Sequence, residues 1–229
     1  MPTTPRSTYG HFCMLAKALE SLGDRWALLV VRDLMTGPKR FTDLMDRLGG
    51  ITPRTLTQRL RDLEADGLVA VDRQQGRREV WYALTEVGAD LAPALAELTL
   101  WGMRHLARPP AVDEPTHPEH MLNGLRLILN QERVDVGPVH WVIRTSDRGD
   151  AFNVRGKRGK WTVDTAVAAN ADLEVIGSRR SLAEYLTTTP RMRSASYPGI
   201  ELKGSDAEIS RFLKAIAVFP QLAQAPGQS

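Results

Sequence analysis

The sequence predicts an α+β fold in two domains. Apolar residues recur at helical spacing through most of the first half, whereas in the second half they alternate with polar residues in short, strand-like runs. Between the halves, residues 107–118 contain four prolines and no apolar period, which favours a linker. A chain of 229 residues is long enough for two ordinary domains. We therefore expect domains at residues 1–106 and 119–229, joined by the linker 107–118.

The composition excludes several classes of protein. With 42% hydrophobic and 25% charged residues the chain is globular in character, and no run approaches the roughly 20 apolar residues of a membrane helix. Residues 1–10 are polar and unlike a secretion signal. The single cysteine, Cys13, excludes an intrachain disulfide and agrees with a reducing compartment, so we expect a cytoplasmic protein with no membrane partner. The net charge of +3 alone says little about a nucleic-acid partner.

Three helical patterns follow one another in the first half. The apolar positions of the first two are Trp26, Leu29, Val30 and Leu34, and then Phe41, Leu44, Met45 and Leu48. Glycine-containing pairs at residues 37–38 and 49–50 end them. The third begins after Thr52, a suitable N-cap, with Pro53 at the first helical position, and runs to Gly67. Two short helices followed by a glycine-containing turn and a third helix are typical of a helix-turn-helix.

The helix at residues 52–66 has two chemically different faces, because about 100° separates successive residues. The apolar face holds Leu56, Leu60 and Leu63, and the opposite face holds Arg54, Gln58 and Arg61, with Thr55 and Thr57 beside them. Guanidinium groups can bind guanine and amides can bind adenine in the major groove, so this face is suited to reading bases. The alternative is a solvated polar face, which most surface helices have.

A basic hairpin is predicted directly after this helix. Residues 68–72 and 79–84 are strand-like, and their connection contains a glycine and three arginines with no acid. Such a hairpin forms a wing whose cations contact phosphates without reading sequence. The basic residues that we expect to lie on the DNA backbone are Lys39, Arg40, Arg73, Arg77 and Arg78.

A longer helix is predicted at residues 85–106. Pro93 should kink it, because proline removes a backbone donor and clashes with the preceding turn. Together with the helix at residues 13–22, it offers more apolar surface than a small winged core can hide, which favours dimerisation.

These segments together resemble the HxlR family of bacterial winged-helix regulators over residues 13–102. The residues that carry the resemblance are Gly23-Asp24-Arg25-Trp26, Arg40-Phe41-Thr42-Asp43-Leu44, Leu56-Thr57-Gln58-Arg59-Leu60, Tyr82-Ala83-Leu84-Thr85 and Trp101-Gly102. The resemblance implies a homodimer that binds double-stranded DNA at a near-palindromic operator, more often as a repressor, under a small-molecule or redox signal. Cys13 stands where several members carry a redox-sensing cysteine, and its alternative role is that of a small apolar residue.

The second half predicts an antiparallel sheet with helices on one face. Strands are expected from residue 139, at 152–155, at 160–163, from residue 173 and at 200–204, and the last helix follows Ser205. This order resembles the sterol carrier protein-type domain over about residues 119–219, which implies a tunnel for an apolar ligand. The residues expected to line it, or alternatively to form an ordinary core, are Trp141, Phe152, Trp161, Leu182, Tyr185, Leu186 and Phe212.

Other chemistries find little support in the sequence. Residues 156–160 are too short and lack the hydroxyl of a phosphate-binding loop, and they are expected to join two strands. His117 and His120 have no further ligand nearby, so no metal site is expected. No catalytic motif and no cofactor are predicted. We expect a transcription regulator rather than an enzyme; the alternatives are a lipid or drug carrier that uses its winged half to dimerise, and an enzyme acting on a hydrophobic substrate.

Overall fold

The computed structural model describes residues 8–73, 79–165, 170–188 and 192–218. The chain divides into two compact units, Met1–Leu95 and Ala96–Ser229. The division falls upstream of the predicted linker, inside a helix. Within the described residues, no helix is both long enough and apolar enough to cross a bilayer.

The first unit contains the elements of a winged helix-turn-helix. They are α1 (Met14–Leu22), α2 (Ala27–Leu34), β1 (Lys39–Arg40), α3 (Phe41–Leu48), α4 (Pro53–Ala65), β2 (Val69–Asp72), β3 (Trp81–Leu84) and α5 (Glu86–Ala89). Helix α6 (Ala92–His105) begins in this unit and ends in the second. The predicted helices at residues 41–48 and 52–66, and the predicted hairpin strands, are confirmed.

Two details of the first unit differ from the prediction. The short strand β1 pairs with β3 and completes a sheet of order β1-β3-β2, and its two residues are too few to show a periodic pattern. The single kinked helix expected at residues 85–106 is wrong, since the chain forms α5 and α6 instead. Pro93 lies in the first turn of α6, where its missing N–H forfeits no helical hydrogen bond.

The core of the first unit joins the apolar faces of α2, α3 and α4 to the sheet. Leu44, Leu56, Leu60 and Leu63 are at most 2% exposed. Gly88 in α5 approaches the chain so closely that a Cβ there would lie 2.1 Å from the carbonyl oxygen of Leu68. Only glycine therefore fits where α5 lies against the residue that precedes β2.

The second unit holds the end of α6 followed by an α+β domain. Its other elements are α7 (Pro118–Gln131), β4 (Val139–Thr145), β5 (Ala151–Lys157), β6 (Lys160–Asp164), β7 (Leu173–Gly177), α8 (Arg179–Thr187), β8 (Ile200–Gly204) and α9 (Asp206–Ile216). The expected strands and the last helix are confirmed. Helix α7 was not predicted, although Leu122, Leu125 and Leu129 have helical spacing and Pro118 stands at its first turn.

The sheet of the second unit has the order β6-β5-β4-β7-β8. It is mixed, which corrects the predicted antiparallel sheet: β4 and β7 run parallel, whereas the other neighbouring strands are antiparallel. After the β5–β6 hairpin the chain crosses back, so that β7 starts at the same end of the sheet as β4. Residues of α7, α8 and α9 join one face of the sheet in a single core, so these helices lie on one face.

The segment predicted to be a linker is held against α8 in the second unit. The guanidinium group of Arg180 donates hydrogen bonds to the carbonyl oxygens of Pro110, Ala111 and Val112, at 2.9 to 3.0 Å. Within the segment, Arg108 pairs with Glu114 at 2.7 Å. Residues 108–114 are therefore fixed by specific contacts rather than extended as a free tether.

Candidate nucleic-acid interface

Helix α4 is fixed at its start and along its buried face. The hydroxyl oxygen of Thr52 accepts a hydrogen bond from the main-chain N–H of Thr55 at 3.2 Å. This cap satisfies one of the donors that a helix start leaves open. Leu56, Leu60 and Leu63 fix the rotation of the helix about its axis by burying one face. The opposite face is consequently held towards solvent.

Arg54 and Arg61 lie on that outer face, and both are exposed. In the described part of the chain, neither guanidinium group makes a hydrogen bond or an ion pair. Arg59 on the same helix differs, because it pairs with Asp62 at 3.1 Å and approaches Asp24 to 3.6 Å. Two arginines of α4 are thus available to a ligand, and the third supports the fold.

The other predicted polar contacts of α4 already have partners within the helix. The hydroxyl of Thr55 lies 2.8 Å from that of Thr52, and the hydroxyl of Thr57 donates to the carbonyl oxygen of Pro53 at 2.8 Å. The amide of Gln58 donates to the carboxylate of Asp62 at 2.9 Å. These are exposed hydrogen bonds, each worth about 0.5–1.5 kcal/mol, so exchanging one for a base edge costs little.

Arg40 has a role in the fold that the sequence did not reveal. It precedes α3, where its main-chain N–H donates to Asp43 at 2.9 Å, and its guanidinium pairs with Asp43 at 3.2 Å and with Glu79 at 3.1 Å. This guanidinium holds the pKa of the Asp43 carboxyl below its usual range. The neighbouring ammonium group of Lys39 donates to the carbonyl oxygen of Gly37 at 2.9 Å. A phosphate would have to compete with these partners.

The wing is formed by β2 and β3, which pair antiparallel from Val69 opposite Leu84 to Asp72 opposite Trp81. Arg73, at the end of β2, is exposed and pairs with Glu64 of α4 at 3.2 Å. Residues 74–78 lie outside the described residues, and they include the predicted phosphate contacts Arg77 and Arg78.

Cys13 immediately precedes α1 and is exposed. Its neighbours Phe12 and Met14 are also exposed, at 96% and 66%. The redox role of this cysteine stays a prediction.

The residues predicted to line a ligand cavity meet in the core of the second unit. Each of the seven is at most 5% exposed: Trp141, Phe152, Trp161, Leu182, Tyr185, Leu186 and Phe212. The ring of Trp141 lies 5.1 Å from that of Phe212 and 5.3 Å from that of Trp161. The indole N–H of Trp161 donates to the carbonyl oxygen of Val134 at 2.8 Å, whereas that of Trp141 is buried and has no hydrogen-bond acceptor among the described residues.

No metal centre is evident among the residues that the structure describes, since no three or more His, Cys, Asp or Glu side chains are grouped to hold an ion. The imidazole rings of His117 and His120 lie 5.3 Å apart, tilted against each other.

The sequence analysis did not predict the contacts of Arg59, although Arg59 and Asp62 are three residues apart on a helix, a spacing at which side chains meet.

The part of the chain that contains the helix-turn-helix is similar to known proteins. The family model described as HxlR-like helix-turn-helix matches residues 21–109. The uncharacterized HTH-type transcriptional regulator YkvN of Bacillus subtilis is 42% identical over 91 residues, which are 39% of this chain and 77% of that protein. The regulator sll1512 of Synechocystis is 37% identical over 38% of this chain and 64% of its own length. The corresponding figures for Rv3095 of Mycobacterium tuberculosis are 42%, 42% and 60%.

Among solved structures, the redox regulator HypR in its oxidized form is 34% identical and covers 39% of this chain and 94% of its own, with a TM-score of 0.38. The chain spans less than two thirds of the length of two of the three curated relatives. Because the family match ends at residue 109, the sterol carrier protein-type character of the second unit stays a prediction. The chain belongs, through residues 21–109, to the HxlR-like helix-turn-helix family of transcriptional regulators.

Proposed function

We propose that this protein is a transcriptional repressor that binds a near-palindromic operator as a homodimer with one α4 in each half-site. The observation that carries the proposal is the pair of exposed arginines, Arg54 and Arg61, whose side chains have no partner within the described residues. They are seven residues apart, so they are separated by about 10.5 Å along the helix. That distance corresponds to about three base pairs, and Gln58 lies between them on the same face.

The remaining contacts of the proposed interface position the protein on the duplex. Thr55 and Thr57 lie beside the two arginines near the start of α4, where hydroxyl groups can donate to phosphates after giving up their present partners. The basic side chains predicted on the wing, Arg73, Arg77 and Arg78, would contact the flanking backbone, together with Lys39 and Arg40 of the edge strand β1. Backbone contacts of this kind contribute affinity but no sequence preference.

Selection from a random pool of duplexes tests the proposal. The full chain is mixed with the pool, and the bound duplexes are recovered and sequenced through several rounds. We expect an inverted repeat whose half-sites are about 10 base pairs, or a multiple, from centre to centre, as a two-fold dimer of such helices requires. A recovered pool without a common sequence would contradict base recognition by α4.

The homodimer is supported by the apolar side chains that α1 presents to solvent. Met14 and Leu15 are 66% and 67% exposed, and Leu19 is 39% exposed. In the second unit, Leu98 and Trp101 of α6 are also more than half exposed. Burying apolar surface contributes about 25 cal/mol per Å², so pairing with a second copy stabilises the assembly at these faces.

Leu15→Asp is expected to convert the dimer to a monomer, because a carboxylate in an apolar interface loses its hydration without gaining a partner. Analytical ultracentrifugation measures the change in mass. Asn123→Asp adds the same charge at an exposed position of α7 and should leave the dimer intact. A Leu15→Asp protein that still sediments as the wild-type dimer would place the interface elsewhere.

We further propose that an apolar ligand in the second unit controls DNA binding. Support comes from the indole N–H of Trp141, which is buried and has no acceptor within the part of the chain that the structure describes. Such a group costs about 1–3 kcal/mol, which a ligand carbonyl oxygen could recover. Binding to the selected duplex is therefore measured with and without fatty acids, sterols and lipophilic drugs, in the wild type and in Trp141→Phe. Unchanged affinity with every compound contradicts this part of the proposal and leaves DNA recognition untouched.

A further inference from the structure

The turn between β5 and β6 is tight and strongly basic. Lys157 and Lys160 are the last paired residues of the hairpin, and Arg158 and Gly159 form the turn between them. Their φ angles are 51° and 71°, so both central residues adopt the left-handed conformation. Two-residue hairpin turns of this type favour Asn-Gly or Asp-Gly, because those residues reach positive φ at little cost. Arginine at the first position is an unusual choice.

A second arginine with the same backbone strain lies against this turn. Arg133, between α7 and β4, has a φ of 48°. A Cβ built on Gly159 would lie 3.3 Å from the carbonyl oxygen of Arg133, so the two turns are in contact. Among the described residues other than glycine, positive φ occurs at three positions, and these two adjacent arginines are two of them. Left-handed backbone is unfavourable for a residue that has a Cβ, which points to a use for the side chains.

Four cationic side chains are clustered in this region. Arg133, Lys157, Arg158 and Lys160, called here the basic tip, are all exposed, and in the described part of the chain none of them pairs with a carboxylate. Two acids are near Arg133 in sequence, and each has another neighbour: Glu132 lies 4.0 Å from Arg104, and Asp135 accepts a hydrogen bond from the N–H of Gly137 at 2.9 Å. The basic tip therefore presents four positive charges to solvent.

We propose that the basic tip binds the phosphate backbone of the DNA that the dimer recognises, which makes the second unit a sequence-independent DNA contact. The inference rests on the proposed function. The basic tip is suited to a polyanion, because lysine and arginine side chains at a hairpin tip can neutralise successive phosphates. An anionic membrane fits less well, because the tip offers no apolar side chain to insert between lipids.

Asparagine substitutions at the two strained positions test the inference, because asparagine tolerates the left-handed conformation best after glycine. Arg133→Asn with Arg158→Asn removes two charges, and we expect the protein to unfold at the same temperature as the wild type or higher. Affinity is measured by fluorescence anisotropy over a range of salt, for the selected sequence and a scrambled one, each in a duplex of about 60 base pairs. The dimer loses four charges, two from each protomer, so the slope of log K against log salt should become less steep by about 3.6, which corresponds to about 900-fold weaker binding at 0.15 M salt.

Arg148→Asn is the matched control. Arg148 is exposed in the turn between β4 and β5, at the opposite end of β5 from the basic tip, and its loss should leave the slope unchanged. An equal effect of this control per charge removed would overturn the inference by showing a general response to net charge. Wild-type slope and affinity in the double asparagine variant would also overturn it.

Two further results distinguish failure of this inference from failure of the proposed function. If the asparagine variant binds as the wild type while Arg54→Ala and Arg61→Ala lose binding, the basic tip is not a DNA contact and the proposed function stands. If no variant of either kind changes binding, the proposed function itself fails. Loss of binding to vesicles that contain anionic lipid, with the DNA slope unchanged, would assign the tip to a membrane and overturn the inference.

Discussion

Replacing Arg54 and Arg61 together by alanine is expected to weaken binding to the selected operator by about 2–6 kcal/mol in each half-site, because each lost base contact costs about 1–3 kcal/mol. Both side chains are exposed and lack partners within the described residues, so their removal should leave the unfolding temperature unchanged. Specific affinity should therefore fall without a loss of fold, and binding to a scrambled duplex should fall much less.

Fluorescence anisotropy with the selected and scrambled duplexes measures this difference. The single variants Arg54→Ala and Arg61→Ala should each relax the sequence preference at different base pairs, because the two arginines are about two helical turns apart. Arg59→Ala provides the contrast within the same helix. Its ion pairs with Asp24 and Asp62 belong to the fold, so its loss should lower stability. Full operator binding by the double alanine variant would show that α4 is not the reading helix.

Replacing Arg193 by methionine is expected to lower the free energy of unfolding of the second unit by about 3–5 kcal/mol. Arg193 is 6% exposed, and its guanidinium donates to the carbonyl oxygens of Leu186 at 3.0 Å, Thr188 at 2.7 Å and Ile216. These carbonyls lie at the ends of α8 and α9, where a helix leaves its acceptors without partners. Methionine has similar length but no donor, so these buried oxygens would lose their hydrogen bonds.

The charge of Arg193 is part of this arrangement. Burial lowers its pKa to about 10, so the guanidinium is still protonated at neutral pH, and burial also raises the pKa of Tyr185 to about 12. A cation is favoured at helix C-termini because of their partial negative charge. Arg193→Lys keeps the charge but brings a single nitrogen to oxygens that lie in different directions, so it should recover only part of the lost stability.

Urea denaturation followed by tryptophan fluorescence measures the effect, since Trp141 and Trp161 lie in the core of the second unit. Lys214→Met is a suitable control, because Lys214 is exposed on α9 and such surface changes usually alter stability by less than about 0.5 kcal/mol. An unchanged transition in Arg193→Met would mean that the ends of α8 and α9 are held by other contacts.

The elements of the first unit were largely predictable because their signals are local. Leucines at helical spacing, a threonine cap and glycine pairs define α3 and α4 within a few residues of sequence. The position of Pro93 is ambiguous in the sequence, because proline can kink a helix interior or begin a helix, and the pattern alone does not distinguish the two. Helix α7 is harder to predict, because a proline-rich segment directly precedes it, although its leucines have helical spacing.

The face of α4 that carries Arg54 and Arg61 could be predicted from the angle between successive residues. The contacts that other arginines make within the fold could not be predicted in this way. Arg40 pairs with Glu79, 39 residues away in sequence, and Arg180 holds main-chain oxygens about 70 residues away. The parallel pairing of β4 with β7 likewise joins distant segments. Side-chain and strand partners at such separations follow from the tertiary fold, for which a single sequence gives no local signal.

The burial of Leu100 affects how the second unit could have been acquired in evolution. This leucine of α6 is 4% exposed and belongs to the core of the second unit. A gene fusion joined at residues 107–118 would leave that core without one of its members. A recombination event that adds or removes the second unit as a stable module must therefore carry the last turns of α6 with it.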